Sequence, residues 1–579
     1  MAMDRDQLEH YRHSLAHLLA AAVMELWPDA KRTIGPAIED GFYYDFQFAA
    51  PVSEDQLPKI EDKMRELLKD WKGFDREEVS ADEAKKRFAD NPFKLELIDQ
   101  FSQDGQTLTF YHSGNFADLC RGGHAEGINK ADPGSFKLTK LAGAYWRGDE
   151  KNPQLTRIYG AAFETKAELD AYLAMLEEAK RRDHRKLGVE LDLFAFSPLV
   201  GSGLPLFTPK GTVVRKLLED FVWRLMKPHG YQRVDIPHMA KVDLYKTSGH
   251  YEKFADDIFY VHSKKSDDEF IMKPMNCPHH TQIFAARPRS YRDLPLRYSE
   301  VTKVYRDENT GQLAGLSRVR SITQDDAHIF CTPEQVKQEA LNIYDIITKF
   351  YAAFEMPLRV RLSVHDPESM DKYLGSTSTC ENAVKTLEGL LKVLGREYEV
   401  GVGEAAFYGP KIDFIAKDAI GREWQLATIQ LDFNQPERFE LEYTDSDGAK
   451  KRPIMIHRAI SGSIERFMAV LIEHYVGAFP LWLAPIQMML CPVGETHVEF
   501  ARALQVEIDA AGGRAEVDES GDKVGAKIRR AAEQKIPWTL VIGDKEAGGE
   551  PFQIRVFGVE APLILDRAGL MEEIKKQIV

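Results

Sequence analysis

The chain has 579 residues, 44% hydrophobic, 10% aromatic and 29% charged, which at ~100 to 200 residues per domain means several folding units and excludes a single small binding module. The same composition excludes global disorder and fibrous folds. Acidic residues outnumber basic ones by 91 to 76, a formal net charge of −15, so any nucleic acid must be held by local basic patches rather than by the overall field.

In chain order, residues 1–163 combine an amphipathic helix carrying Leu15, Leu18, Leu19, Val23 and Leu26 with short aromatic strands at 41–46 and 107–111, an α+β pattern. Residues 164–186 read as a connecting helix with a basic end, stopped by Gly188. That basic end suits a solvated helix terminus as well as it suits RNA. The largest block, 187–479, opens with a helix at 212–226 that Pro228 and Gly230 end, followed by a strand at 231–236. Strands at 270–272, 296–301, 321–323 and 423–432, several in hairpin-like order, predict a mostly antiparallel sheet flanked by helices. Residues 480–579 alternate strand and helix (487–491, 498–511, 514–517, 525–534, 538–542), which predicts a small α/β domain with a largely parallel sheet.

Five dispersed cysteines, Cys120, Cys277, Cys331, Cys380 and Cys491, form no CxxC pair and fit a reducing compartment. The N-terminus lacks the basic patch and unbroken apolar core of a signal peptide. The most apolar stretch, 476–491, is interrupted by Pro480 and Pro485, short of the ~18 apolar residues of a membrane span. A soluble cytoplasmic protein is expected.

Two arginine-bearing segments carry the chemistry. One runs from Arg297 through Arg306 and Glu308 to Arg318, Gln324, Asp326 and His328; the other is His457-Arg-Ala-Ile-Ser-Gly-Ser-Ile-Glu-Arg466-Phe. They resemble motifs 2 and 3 of class II aminoacyl-tRNA synthetases. With Met275-Asn-Cys277-Pro-His-His and Tyr408-Gly-Pro-Lys411-Ile-Asp413, the chain is similar over nearly its whole length to the threonyl-tRNA synthetase family of bacterial type. The resemblance implies a multidomain α+β and α/β architecture. It comprises an N-terminal α+β editing domain (1–163), a linker helix (164–186), a class II antiparallel-sheet catalytic core (187–479) and a C-terminal α/β anticodon-binding domain (480–579). Family members commonly begin with a small ubiquitin-like domain, for which this sequence shows no counterpart. The segments 212–226 and 231–236 resemble motif 1, which implies a homodimer.

Activating an amino-acid carboxylate with ATP and passing it to a ribose hydroxyl builds negative charge, which calls for fixed cations; arginine supplies them bidentately at any physiological pH. By resemblance Arg306 bridges the α-phosphate and the amino-acid carboxylate, Arg318 steadies the distal phosphates, Glu308 meets the adenine edge and Arg466 stacks on the adenine. Taken singly, an arginine in a strand is more often an ion-pair partner. Ile322 stands where relatives usually place an aromatic residue under the adenine; an aliphatic floor excludes water without stacking. Magnesium is expected with ATP.

Cys277, His328 and His457 are too far apart in sequence to announce a metal site, and composition alone would bury them as core residues. The resemblance makes them the ligands of one zinc ion with an open position, where an amine and a β-hydroxyl chelate together. It also sets Asp326, with Gln324 beside it, to accept a hydrogen bond from that hydroxyl, and places Met275, Tyr408, Lys411 and Gln430 around the substrate. Valine lacks the hydroxyl, a polar mismatch worth ~10⁴ or more, whereas serine lacks only a methyl, worth ~1 to 3 kcal/mol. A second, hydrolytic site against seryl-tRNA is therefore expected. His13 and His17, one helical turn apart, together with Tyr44, Lys94, Asp118, Cys120 and His124, resemble that editing site. The histidines and Cys120 could hold zinc or orient a water without metal; the family resemblance favours the second. Gly123 replaces the family's usual proline, which predicts a looser turn and slower editing. Near the C-terminus, Glu546 and Arg555 match anticodon-contacting positions. A prolyl or seryl relative is the nearest rival, but cyclic proline cannot offer an amine and a hydroxyl to a metal. A non-catalytic RNA-binding decoy would have no need of the charge clamp.

Overall fold

The computed structural model describes residues 3–149, 151–370, 373–374 and 377–577. It divides into two compact units, Met1–Glu178 and Ala179–Val579. No helix among the described residues is long and apolar enough to cross a membrane.

In the first unit the expected helix is Arg5–Leu26, started by a capping box between Asp4 and Gln7. Its apolar face, with Leu15, Leu18, Leu19 and Val23 fully buried, packs into one core with Phe42, Phe46, Ile60 and Met64. An antiparallel sheet holds Gly41–Gln47 beside Gln154–Ala162 and then Phe136–Tyr145. A second antiparallel sheet joins Asp75–Glu78, Thr109–Ser113 and Phe116–Leu119, so the strand expected at 107–111 begins two residues later.

The connecting segment differs from expectation. Two helices, Lys166–Arg182 and His184–Glu190, meet at Asp183, whose side chain caps the second. Gly188 is not a stop: it lies within the second helix, where a Cβ would fall 2.2 Å from the Phe194 ring. Close packing, and not chain termination, requires the glycine.

In the second unit an eight-stranded sheet runs in the order Gln232–Arg233, Leu296–Tyr305, Ser321–Cys331, Ile454–Ser463, Glu423–Asp432, Lys411–Lys417, Leu358–Val364, Glu399–Val402. All its inner pairings are antiparallel and only the two outermost are parallel, as the hairpin-like order predicts. Helices Pro209–Met226, Val336–Ala352 and Ile464–His474 bury Leu218, Phe221, Phe350 and Phe467 against it. The strand expected at 231–236 shrinks to Gln232–Arg233. The C-terminal sheet, ordered Ala515–Val517, Met488–Pro492, Trp538–Ile542, Phe552–Val556, Leu563–Leu565, is parallel across its first three strands and antiparallel across the rest. It is mixed rather than largely parallel, because the last two strands form a hairpin without an intervening helix.

Candidate active site and metal centre

The central sheet delivers its functional side chains as a row. Tyr298, His328, His457, Gln430 and Lys411 are direct partners across five neighbouring strands, and residues opposite one another share a face. A second row, Glu300, Asp326, Ala459, Thr428 and Asp413, lies two residues along. A bulge between Gln324 and Asp326 shifts the register against Ile454–Ser463 and re-aims the strand at the site.

Cys277, at the start of the helix Cys277–Ala285, joins His328 and His457. One ligand atom from each lies within 4.8 Å of the others, and all three residues are buried. Each imidazole engages a neighbour through one nitrogen, His328 Nδ1 with His280 Nδ1 at 2.8 Å and His457 Nε2 with Asp432 Oδ2 at 2.9 Å. The two rings meet edge to face, with centroids 4.7 Å apart. Asp432 is fixed in turn by the Asn434 and Gln435 amides and by Gln435 Nε2. Such outer partners are what a metal-binding histidine needs to fix its tautomer and orientation, so the donor set fits a metal of the Cys/His type. Burial pushes the Cys277 thiol well up, with Asp326 adding to it, and pulls His328 well down, keeping its ring neutral. Asp326 sits beside the cluster, its Oδ2 accepting from Asn276 Nδ2 at 3.0 Å. The Tyr408 ring stacks on His457 with centroids 4.7 Å apart, and its hydroxyl donates to Gln430 Oε1. Lys411 ion-pairs with Asp413 at 2.9 Å.

The arginines gather at the loop that follows Leu296–Tyr305. Arg306 has no carboxylate partner within 4.0 Å among the described residues: its Nη2 meets Met275 Sδ at 3.2 Å and its buried Nε has no partner. Burial pulls its guanidinium down from the ordinary value against the pull of Glu308 and Asp257. A half-buried guanidinium with no carboxylate at ion-pair distance keeps its donors for an anion. Arg318, by contrast, pairs with Glu308 at 2.7 Å, and Arg466 Nε donates to Ser317 O at 3.0 Å. Ile322 pairs across the strands with Val304.

The second constellation lies within the first unit. His13 Nε2 is 3.2 Å from both Cys120 Sγ and His17 Nε2, and Cys120 Sγ is 3.4 Å from His124 Nε2. Beside them the buried Asp118 takes Lys94 Nζ at 2.8 Å and the Tyr44 hydroxyl. Burial alone would raise the Asp118 carboxyl, yet Lys94 and Arg32 hold it below the ordinary range. Burial also lowers His124 to about 3 and raises the Cys120 thiol to about 11, so these groups are neutral beside the charged set of Lys94, Arg32 and Asp118. Gly123 has φ +80, a conformation closed to proline. The turn therefore follows a glycine path of its own rather than a loosened proline path.

Glu546 and Arg555 line one cavity of about 650 Å³ in the C-terminal domain. Glu546 Oε2 also closes its own turn on Gly543 N at 3.0 Å.

The sequence reading missed His280, Asp432 and His250. His280 lies three residues from Cys277 on one helix, and Asp432 two residues from Gln430 on one strand, so helical and strand spacing could have found both. His250 Nε2 is 3.5 Å from Cys277 Sγ, a contact only the tertiary fold creates.

Residues 259–475 match the tRNA synthetase class II core domain (G, H, P, S and T), residues 487–577 the anticodon binding domain, and residues 108–159 the threonyl and alanyl tRNA synthetase second additional domain. The threonine–tRNA ligase of Deinococcus radiodurans is 50% identical over 553 residues, covering 94% of this chain and 85% of that protein. The Gloeobacter violaceus threonine–tRNA ligase is 48% identical, with 95% and 89% covered. Among solved structures, the RNA binding domain of threonyl-tRNA synthetase from Cryptosporidium parvum Iowa II superposes with a TM-score of 0.65 at 35% identity, over 68% of this chain and 98% of that one. At this identity and coverage the chain belongs to the threonine–tRNA ligase family of class II synthetases, with an anticodon-binding domain and the editing-associated additional domain.

Proposed function

We propose that this chain attaches L-threonine to tRNA(Thr) through a threonyl-adenylate and hydrolyses seryl-tRNA(Thr) formed in error. The observation that carries the reading is the buried Cys277–His328–His457 cluster beside the sheet whose strand Leu296–Tyr305 leads into Arg306, a guanidinium with no carboxylate within 4.0 Å among the described residues. Zinc bound there would offer an open Lewis-acid position to an amine and a hydroxyl on one amino acid. Asp326, with Gln324 along the strand, accepts a hydrogen bond from the β-hydroxyl; Met275, Tyr408, Lys411 and Gln430 line the amino-acid pocket. Arg306 takes the α-phosphate and carboxylate, where its lack of a partner gives the charge somewhere to go. Arg318 and Arg466 hold the triphosphate and adenine over Ile322, Glu308 meets the adenine edge, and magnesium accompanies ATP. ATP–pyrophosphate exchange tests this: threonine supports it, valine does not, serine does so weakly, and a chelator abolishes it. Robust exchange with proline would overturn the reading.

Editing we assign to His13, His17, Cys120, His124, Lys94, Asp118 and Tyr44, working on a water without metal. The buried Nδ1 atoms of His17 and His124 have no partner, unlike the outer nitrogens of His328 and His457, so these rings lack the outer support of metal ligands. Metal analysis of the full chain is accordingly expected to give one equivalent, not two. The His13→Ala variant should keep threonine charging while deacylation of seryl-tRNA falls by ~10² or more, the usual share of acid–base assistance. Deacylation that is lost on chelation would restore the metal reading.

For anticodon recognition the shared cavity of Glu546 and Arg555 supports base contact. Arg555→Ala should weaken tRNA binding by ~1 to 3 kcal/mol, the worth of one specific base contact, read as a higher KM for tRNA with ATP–pyrophosphate exchange unchanged. We also propose a cytoplasmic homodimer, divided at 1–163, 164–186, 187–479 and 480–579. All five cysteines are unpaired, as a reducing compartment expects. The exposed apolar residues Phe196, Leu199, Val200 and Leu206 before the first catalytic helix suit a second copy.

A further inference from the structure

Outside the sites above, one more group among the described residues brings metal-type donors together: Asp183, His184 and Glu473. Its donors are already committed. Asp183 accepts from the Arg185 amide at 2.8 Å and from its guanidinium. Glu473 accepts His184 N at 3.1 Å, His184 Nδ1 at 2.6 Å and, on its other oxygen, Arg422 Nη2. His184 Nε2 accepts from the backbone N–H of Leu316 at 3.0 Å. A ring that donates from Nδ1 and accepts at Nε2 is neutral and has no lone pair left for a metal.

Leu316 sits at the tip of the loop that carries Arg318. That tip is a tight turn in which Ala314 O takes the amides of Ser317 at 2.9 Å and Arg318 at 3.4 Å, so the Leu316 N–H points out of the turn and needs an outside acceptor. His184, 5% exposed, provides it, and Leu316 itself is fully buried. Gly315, at φ +53, leaves no room for a side chain: a Cβ would lie 2.3 Å from His184 Nε2. On the loop's other side Arg466 holds Ser317 O.

We propose that His184 is a positioning residue for ATP: the relay Arg422–Glu473–His184–Leu316 N fixes the loop tip from within, so that Arg318 and Arg466 meet the nucleotide already in place. The inference rests on the assignment of those two arginines to ATP proposed above. Losing the clamp leaves a buried N–H unsatisfied and frees the loop, while Cys277, His328 and His457 make no contact with the clamp and keep their places.

In the full chain, His184→Ala should raise KM for ATP in threonine-dependent pyrophosphate exchange about tenfold, as one lost buried hydrogen bond implies, with KM for threonine and the metal content unchanged. His184→Gln, whose amide can both accept from Leu316 N and donate to Glu473, should recover most of the ATP affinity. Gly315→Ala, which evicts the ring, should reproduce the alanine defect and keeps the test open if His184→Ala does not fold. An unchanged KM for ATP, an equal rise in both KM values, no rescue by glutamine, or loss of a metal equivalent would each overturn the clamp. Arg318→Ala separates the two layers: if it too leaves KM for ATP unchanged, the ATP assignment has failed; if it alone raises it, only the clamp has.

Discussion

Replacing Cys277 by serine is expected to remove the bound metal and to reduce threonine-dependent ATP–pyrophosphate exchange by ~10³-fold or more, near the discrimination a polar site exerts against a ligand it cannot pair. The cluster has three donors, and the two imidazoles are held by His280 and Asp432. The thiol is the donor that supplies charge, and a serine hydroxyl in the same buried position does not ionise to replace it. Because Arg306, Arg318 and Arg466 lie on other segments, ATP binding measured directly should change less than twofold. That split between a lost amino-acid step and an intact nucleotide site is diagnostic. Full exchange in a metal-free Cys277→Ser protein would show that threonine is selected by shape and hydrogen bonds alone.

Strand composition and hairpin-like order locate Glu423–Asp432 and the start of Leu296–Tyr305, since antiparallel neighbours follow one another closely in the chain. They could not show that His328, His457, Gln430 and Lys411 fall in one row, because register is set between strands that lie far apart in the chain. Family resemblance supplied the grouping; the row supplies its cause. Gly188 and Gly123 lie beyond the reach of sequence for a related reason. Glycine signals a backbone or packing demand, and only the Phe194 ring in one case and the positive φ in the other show which. The C-terminal domain was read as parallel because strand–helix alternation stops being informative at Phe552–Val556, where a hairpin begins.

Arg458→Met is expected to destabilise the second unit by ~3 to 5 kcal/mol, the cost of stranding one charge of a buried pair. Arg458 and Asp325 are fully buried and 3.3 Å apart. Arg458 also reaches Ser299 Oγ at 3.3 Å and Met226 Sδ and lies over the Tyr231 ring, while Asp325 accepts the amides of Ile460 at 2.9 Å and Ser461 at 3.2 Å. The carboxylate thus closes the bulge that separates Gln324 from Asp326, and its partner is the residue after His457. A fall in Tm of about 4 to 6 °C follows from that cost for a unit of this size, with loss of exchange activity as the register loosens. Burial already raises the Asp325 carboxyl against the pull of Arg458; without the arginine it rises further. The folded state then holds its proton more tightly than the unfolded chain, so the deficit is small near pH 4, the ordinary carboxyl value, and deepens as pH climbs through the raised one. Arg458→Lys should not rescue, since an ammonium cannot span Asp325, Ser299 and Met226 together. Nor should Asp325→Leu rescue Arg458→Met, for removing the stranded charge also abandons the Ile460 and Ser461 amides. A double variant as stable as the parent would reduce Asp325 to a mere counter-charge and leave the bulge to be held by the strands themselves.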